Sequence, residues 1–411
     1  MRILQVGPVP PEVGGSTRGG VASHLWGLAT YLAKRGHQVA ILADNYRPSV
    51  NWSVMRNSVA IYGVEQAIKM QQKVRVLNPF IWSKIIRTKR HFGPLVTWQG
   101  VATNLTLYHQ VIKDFQPEVI HVNHLEIRFP FTYFSSGCKI PIVTTIHSST
   151  AIEFNKSSNT ELIQNLVKNN LGLSNNLIFV SNFVKQRFES LFPGMLNECN
   201  TWVISNPVDS SKFYPISKKS SRKLLGKEID KPQILFVGKL KPLKGSNLLI
   251  QAVSLLKDRG LDLQLMIVGD GPEKSKLDEF IKRNALGGFV SLEGPKDYNK
   301  LLNYYNAADL FVLPSASEGF SLVYLEAMLC GCPVIGTKGV ADESIPSTEF
   351  GYLVPPNDAY ALAELIEKGL KREWDKESIV SHARLFEWNE RITDFEDVYR
   401  NITQKGKQSH G

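Results

Sequence analysis

Two glutamates, Glu318 and Glu326, stand eight residues apart in the stretch Pro314–Ile335, which reads as a strand end, a turn, a short helix and another strand. Even in a continuous helix they would lie ~12 Å apart along the axis. Paired carboxylates of inverting glycosidases lie roughly 6.5–9.5 Å apart, which is closer than this spacing allows. The spacing therefore predicts that the two side chains hold opposite ends of one long ligand.

The helix between these glutamates is expected to begin near Ser321 or Leu322. Its free N–H groups and the positive end of its dipole favour a phosphate. This arrangement suits a nucleotide-sugar, with Glu318 accepting hydrogen bonds from sugar hydroxyls and Glu326 from ribose hydroxyls. A surface turn followed by a helix with one exposed glutamate can show the same spacing by chance.

The residues around the pair are more specific. The run from Glu318 to Met328, EGFSLVYLEAM, closely resembles the Glu-x7-Glu signature of retaining glycosyltransferases of family 4. The resemblance implies an α/β protein with the GT-B fold, in which two Rossmann-like doubly wound domains face each other across a cleft. It also implies that backbone groups near Phe320, Ser321 and Leu322 contact the donor.

Two lysines, Lys239 and Lys244, follow a predicted strand that ends at Gly238. Cations beside a helix N-terminus can clamp a diphosphate, although a single lysine in such a loop is usually solvated. The segment resembles the family element Gly-Arg-Leu-x-x-x-Lys-Gly, whose cations neutralise the leaving nucleoside diphosphate. At Lys239 this chain keeps the charge of the family's arginine and loses its bidentate geometry.

Glycines are expected at the remaining donor contacts. Gly269 and Gly271 belong to a strand-to-helix turn that resembles the family's Gly-x-Gly-Pro turn. Gly238 ends the predicted strand just before Lys239. Without a Cβ these positions let the backbone approach a ligand. Gly19 and Gly20 open a helix directly after the first strand, where N–H groups can meet phosphate or sugar.

Three histidines stand at or near strand ends in the first half of the chain. His147 resembles the cleft histidine of the family, near the transferred sugar. His121 and His124 could form a two-histidine metal site, but no third ligand pattern accompanies them, so structural or acceptor-side roles are favoured. The chain has no Asp-x-Asp triplet, so no metal is expected.

Strands alternate with helical patterns in two blocks of this chain of 411 residues. Such alternation predicts two parallel sheets covered on both faces. We expect an N-terminal acceptor domain over residues 1–207, completed by a C-terminal helix over 387–402. A donor domain is expected over 208–386 and a disordered tail over 403–411.

A net charge of +10 suits anionic partners such as nucleoside diphosphates, nucleic acid or acidic membranes. No nucleic-acid motif accompanies the charge, so nucleic acid is not expected. Residues 65–91 hold seven cations and one acid with interleaved aromatic residues, which suits either a solvated face or an anionic membrane surface. With no signal peptide or spanning segment in view, a cytoplasmic location, on or off the inner membrane face, is expected.

Together these features predict retaining hexosyl transfer from a UDP- or GDP-sugar to a glycan or lipid-linked acceptor in cell-surface polysaccharide or glycolipid synthesis. The donor is a co-substrate, and no other cofactor is expected. The resemblance implies Lys239, Lys244, Glu318 and His147 as the catalytic set. Three alternatives stay open: a non-catalytic GT-B protein that binds a nucleotide-sugar or glycan, a nucleic-acid-binding protein suggested by charge alone, and a phosphorylase or epimerase.

Overall fold

The computed structural model describes residues 1–15, 19–43, 53–63, 111–123, 140–147, 171 and 175–408. The chain divides into two compact units. The first comprises residues 1–205 and 391–411, and the second comprises residues 206–390. Each unit is an α/β structure built on one sheet, in agreement with the predicted fold class.

The first unit contains an eight-stranded sheet with the order β3-β4-β2-β1-β5-β6-β7-β8. Its strands are β1 (Arg2–Val6), β2 (Gln38–Ala43), β3 (Ser53–Arg56), β4 (Val59–Gly63), β5 (Val119–Val122), β6 (Ile142–Ile146), β7 (Asn176–Phe179) and β8 (Asn200–Val203). Among these described strands, β3 pairs antiparallel with β4, and the other neighbouring pairs are parallel. The short, apolar central strands are buried, as parallel strands between helical layers require.

Helices pack on this sheet through apolar stripes. Helix α1 (Gly20–Lys34) buries Leu25, Leu28 and Leu32 at helical spacing. Helix α2 (Asn182–Leu191) begins after Ser181, whose hydroxyl accepts a hydrogen bond from the Val184 N–H at 3.2 Å. Residues 111–115 are also helical.

The second unit contains a six-stranded parallel sheet with the order β11-β10-β9-β12-β13-β14. The strands are β9 (Gln233–Val237), β10 (Gln264–Val268), β11 (Val290–Gly294), β12 (Leu310–Leu313), β13 (Val334–Thr337) and β14 (Gly351–Val354). The helices are α3 (Lys218–Leu224), α4 (Ser246–Asp258), α5 (Lys274–Arg283), α6 (Leu301–Ala307), α7 (Leu322–Leu329), α8 (Ala359–Lys371) and α9 (Lys376–Arg384). Because the strands are parallel, the loops that leave β9, β10 and β12 emerge at one edge of the sheet.

Helix α10 (Trp388–Gln408) ends the described chain and corrects one expectation. Residues 403–408, which we expected to be part of a disordered tail, continue this helix. Nucleation is the unfavourable step of helix formation, and the buried residues of α10 provide it. Each further residue then gains one backbone hydrogen bond when it is ordered, so the helix can extend. The Thr403 hydroxyl also donates to the Tyr399 carbonyl at 2.7 Å. In the part of the chain that the structure describes, no helix, α10 included, is long and apolar enough to cross a membrane.

Candidate functional site

Two loops at the carboxyl edge of the second sheet are tied together by backbone contacts. The Leu243 carbonyl accepts hydrogen bonds from the Ser315 hydroxyl at 2.9 Å and the Ala316 N–H at 2.8 Å. Gly245 has a φ of +73°, and a Cβ there would lie 2.2 Å from the Pro314 carbonyl oxygen. The loop after β9 and the loop after β12 are therefore fixed against each other.

This connection brings Lys244 and Glu318 into direct contact. The Lys244 ammonium lies 2.6 Å from Glu318 Oε1 and 2.7 Å from Oε2. The side chains are 28% and 10% exposed, respectively, so the pair is partly buried. The predicted diphosphate cation and the predicted sugar-binding carboxylate thus neutralise each other in the free protein.

Lys239 occupies the same loop but a different environment. Its side chain is exposed, and it has no ion-pair partner among the described residues. The backbone around it is ordered, since the Leu240 N–H donates to the Asp270 carbonyl at 3.0 Å. Its ammonium is therefore available to an anion at this edge.

Backbone packing accounts for two of the predicted donor-site glycines. A Cβ on Gly269 would lie 1.8 Å from the Gly238 carbonyl oxygen, and one on Gly271 would lie 2.4 Å from the Leu240 carbonyl oxygen. These contacts require glycine even without a ligand, because no side chain can be accommodated against backbone at such distances. At Gly238 a Cβ would make only ordinary contacts with the Phe236 ring, at 3.5 Å.

Helix α7 begins at Leu322 with Ser321 as its N-cap residue in an extended conformation. The Ser321 side chain makes no capping hydrogen bond, so the first-turn N–H groups are not satisfied by a side-chain cap. The Phe320 ring packs at 5.6 Å from the Phe386 ring, measured between centroids. The start of α7 thus has no side-chain cap and follows Glu318 closely in sequence.

Glu326 lies within α7 and is only 3% exposed. Tyr298 donates its hydroxyl to Oε1 at 2.9 Å, and Tyr305 donates to Oε2 at 2.7 Å. Burial raises the pKa of the Glu326 carboxyl, while the tyrosine hydrogen bonds and the Lys212 charge act in the opposite direction. These phenol partners were not predicted from the sequence, in which the tyrosines indicate only an aromatic-rich segment.

Two of the three histidines considered in the sequence, His121 and His147, are described, and both lie in the first unit. The His147 ring lies 4.8 Å from the His24 ring between centroids. His121 is buried and hydrogen-bonded to Tyr399 at 2.7 Å and to Thr145 at 2.6 Å. Burial is the main cause that lowers the pKa of both His24 and His121 to about 3, so both rings are neutral near pH 7.

The glycine-rich loop of the first unit is described only at its ends. Gly19 precedes α1 with a φ of +155°, and Gly20 is the first residue of that helix. A Cβ at either glycine would meet no described atom within 4 Å. His124 and the basic segment 65–91 lie outside the described residues. Among the residues described, no cluster of three histidine, cysteine, aspartate or glutamate side chains could hold a metal ion.

Comparison with known proteins gives matches over both halves of the chain. Residues 217–386 match the family model of glycosyl transferases group 1, and residues 18–212 match that of glycosyltransferase family 4. The D-inositol 3-phosphate glycosyltransferase of Paenarthrobacter aurescens is 33% identical over 202 residues, which are 47% of this chain and 50% of that protein. The same-named protein of Corynebacterium jeikeium is 28% identical over 65% of this chain and 68% of that protein. The chain spans about half the length of the first curated relatives that it matches.

Solved structures match the whole chain at low identity. Sucrose-phosphate synthase from Thermosynechococcus elongatus gives a TM-score of 0.72 at 20% identity over 98% of this chain and 100% of that one. HepE from Anabaena, solved with UDP and glucose, gives 0.66 at 20% identity over 98% of this chain and 99% of that one. These likenesses establish the GT-B fold. The two family models, which together match residues 18–212 and 217–386, show that the chain belongs to glycosyltransferase family 4.

Proposed function

We propose that this chain transfers a hexosyl group from a nucleoside diphosphate-sugar to a glycan or lipid-linked acceptor, with retention at the anomeric carbon. The observation that carries the proposal is the contact between Lys244 and Glu318 beside the start of α7. The Lys244 ammonium, the Glu318 carboxylate and the start of a helix without a side-chain cap lie together there, at the carboxyl edge of a parallel sheet. Nucleotide ligands of doubly wound sheets bind at such an edge.

The main catalytic contribution would be stabilisation of the departing diphosphate. Lys244, Lys239 and the first-turn N–H groups of α7 supply positive charge and donors where negative charge develops. When the diphosphate engages Lys244, Glu318 is released to accept hydrogen bonds from the sugar hydroxyls. Glu326 would accept hydrogen bonds from the ribose.

For the chemical step we propose front-face transfer. The bond from the anomeric carbon to the acceptor oxygen forms on the face from which the diphosphate oxygen departs, and that oxygen takes the acceptor proton. No enzymic nucleophile is needed, and His147 would contact the sugar. Detection of a glycosyl group covalently attached to Glu318 by mass spectrometry would overturn this mechanism.

A UDP-sugar is the first donor to test, with GDP-sugars beside it. HepE has been solved in complex with UDP and with UDP-glucose, and this supports a nucleotide-sugar donor. The relatives' name points to D-inositol 3-phosphate as an acceptor to include. We propose no metal and no further cofactor.

The acceptor proposal includes peripheral contact with an anionic membrane on the cytoplasmic side. Its support is the charge of residues 65–91, with seven cations against one acid. Such a segment should bind anionic lipid more weakly as salt is raised. Flotation with anionic and neutral liposomes at low salt tests it, and absence of binding to anionic liposomes would remove the membrane from the proposal.

Thermal melting against UDP-, GDP- and ADP-sugars tests the donor, with Glu326→Ala as the matched variant. We expect one nucleotide class to raise the melting temperature of the wild type and to lose that effect in Glu326→Ala. Release of the nucleoside diphosphate on adding an acceptor would then establish transfer. Donor binding without release under any acceptor would favour a non-catalytic binding protein, and no binding by a folded sample would overturn the proposed function.

A further inference from the structure

The two phenol partners of Glu326 differ sharply in exposure. Tyr305 is fully buried, whereas Tyr298 is 40% exposed. Tyr305 holds Oε2 from the interior, and Tyr298 holds Oε1. Of these two tyrosines, Tyr298 is therefore the partner of Glu326 that lies nearer the protein surface.

Tyr298 is held by contacts that can be exchanged. It opens a single 3₁₀ turn, Tyr298–Lys300, between β11 and α6. Its ring stands edge-on to Phe213 at 5.0 Å between centroids, and the Lys212 ammonium lies 5.2 Å from its ring centroid. Short 3₁₀ turns have few backbone hydrogen bonds, so a small movement here does not disrupt a long element.

Tyr305 on Oε2 is fully buried, so Oε1, which accepts from the partly exposed Tyr298, is the oxygen that a ligand hydroxyl could reach with the smaller rearrangement. We propose that Tyr298 is a specificity-determining residue of the donor site, and that a ribose hydroxyl of the nucleoside diphosphate displaces its hydroxyl from Oε1. The inference rests on the proposed function, since it takes the ligand to be a nucleoside diphosphate. Binding of the ribose then includes the cost of breaking one phenol–carboxylate hydrogen bond.

The test compares Tyr298→Phe with Tyr304→Phe, a neighbouring tyrosine whose hydroxyl instead donates to Glu293 at 3.1 Å. Isothermal titration calorimetry would measure the affinity for UDP, GDP and ADP and for their 2′,3′-dideoxy counterparts. We expect Tyr298→Phe to bind the preferred ribonucleotide roughly two- to tenfold more tightly, the range of one ordinary hydrogen bond. Its affinity for the dideoxy counterpart should not change, and Tyr304→Phe should match the wild type for both.

Weaker or unchanged ribonucleotide binding by a folded Tyr298→Phe protein would overturn the inference. An equal gain for the dideoxy nucleotide would also overturn it, because the effect would then come from ring packing. If the wild type binds nucleotides but the ratio of its affinities for the ribonucleotide and the dideoxy nucleotide is the same in Tyr298→Phe, only this inference falls. If the wild type binds none of them, the proposed function falls as well. Melting temperatures of all three proteins establish that each is folded.

Discussion

Replacing Lys244 with alanine should destabilise the second unit even without ligand. The substitution leaves Glu318, whose side chain is only 10% exposed, without the ammonium that contacts both of its oxygens. Breaking a fully buried pair costs about 3–5 kcal/mol, and an exposed pair contributes about 0–1 kcal/mol. Because Lys244 itself is 28% exposed, we expect about 2 kcal/mol. For a unit of this size that corresponds to a loss of about 4–8 °C in melting temperature.

Lys239→Ala is the matched control, since it removes an exposed lysine from the same loop. We expect it to change the free energy of unfolding by less than about 0.5 kcal/mol. Differential scanning calorimetry of the free proteins compares the two variants. Addition of the preferred nucleoside diphosphate should then stabilise the wild type and have a smaller effect on both variants, because each lacks a cation for the diphosphate.

A second substitution separates the ion pair from other effects of Lys244. In the Lys244→Ala background, Glu318→Gln should recover part of the lost stability, since a neutral amide does not require a cation. A Lys244→Ala protein that melts with the wild type would refute the reasoning. So would a double variant that is no more stable than Lys244→Ala, because the cost would then not arise from an isolated carboxylate.

Two further predictions concern packing and pH. Gly269→Ala should destabilise the second unit by more than about 2 kcal/mol in urea unfolding, because its Cβ would lie 1.8 Å from the Gly238 carbonyl oxygen. Gly287→Ala is the control: its Cβ would meet nothing within 4 Å, so the substitution should be tolerated. Burial lowers the pKa of His24 and His121 to about 3, below the unfolded value near 6.5, so their stability contribution is complete above pH 6.5 and falls as the pH drops toward 3. We expect the free energy of unfolding, measured in urea, to decline below pH 6.5 by up to about 1.4 kcal/mol per pH unit for each histidine, and His24→Leu to show a shallower decline.

The sheets were predictable because parallel strands buried on both faces appear as short apolar runs between helical patterns. Gln38–Ala43 and Leu310–Leu313 are two such runs, and both form strands of the structure. The hairpin of β3 and β4 was not predicted. Its turn residues, Asn57 and Ser58, have φ values of +46° and +63°, and Asn-Ser is a weaker turn signal than Asn-Gly.

The residue types of the candidate site were predictable, but their partners were not. Lys244 and Glu318 lie 74 residues apart, and they meet where the Leu243 carbonyl and Gly245 pack against the loop after β12. Glu318 and Glu326 contact different partners in the described structure, Lys244 for the first and two tyrosines for the second. Such partners depend on which loops pack together, and local sequence patterns do not contain that information. Whether each residue performs its predicted role stays a prediction.

Both carboxylates of the candidate donor site already have donors in the free protein. This follows from their burial, because an ionised carboxylate with little exposure is costly unless hydrogen bonds or a cation replace its water. Ligand affinity at such a site is the difference between the ligand's hydrogen bonds and those that it displaces. Removing a displaced partner, as in Tyr298→Phe, should therefore strengthen nucleotide binding, whereas removing a group that binds the diphosphate, as in Lys244→Ala, should weaken it. If the two substitutions change the affinity for the same nucleotide in opposite directions, the ligand exchanges hydrogen bonds with existing partners. If both weaken binding, the ligand only adds contacts.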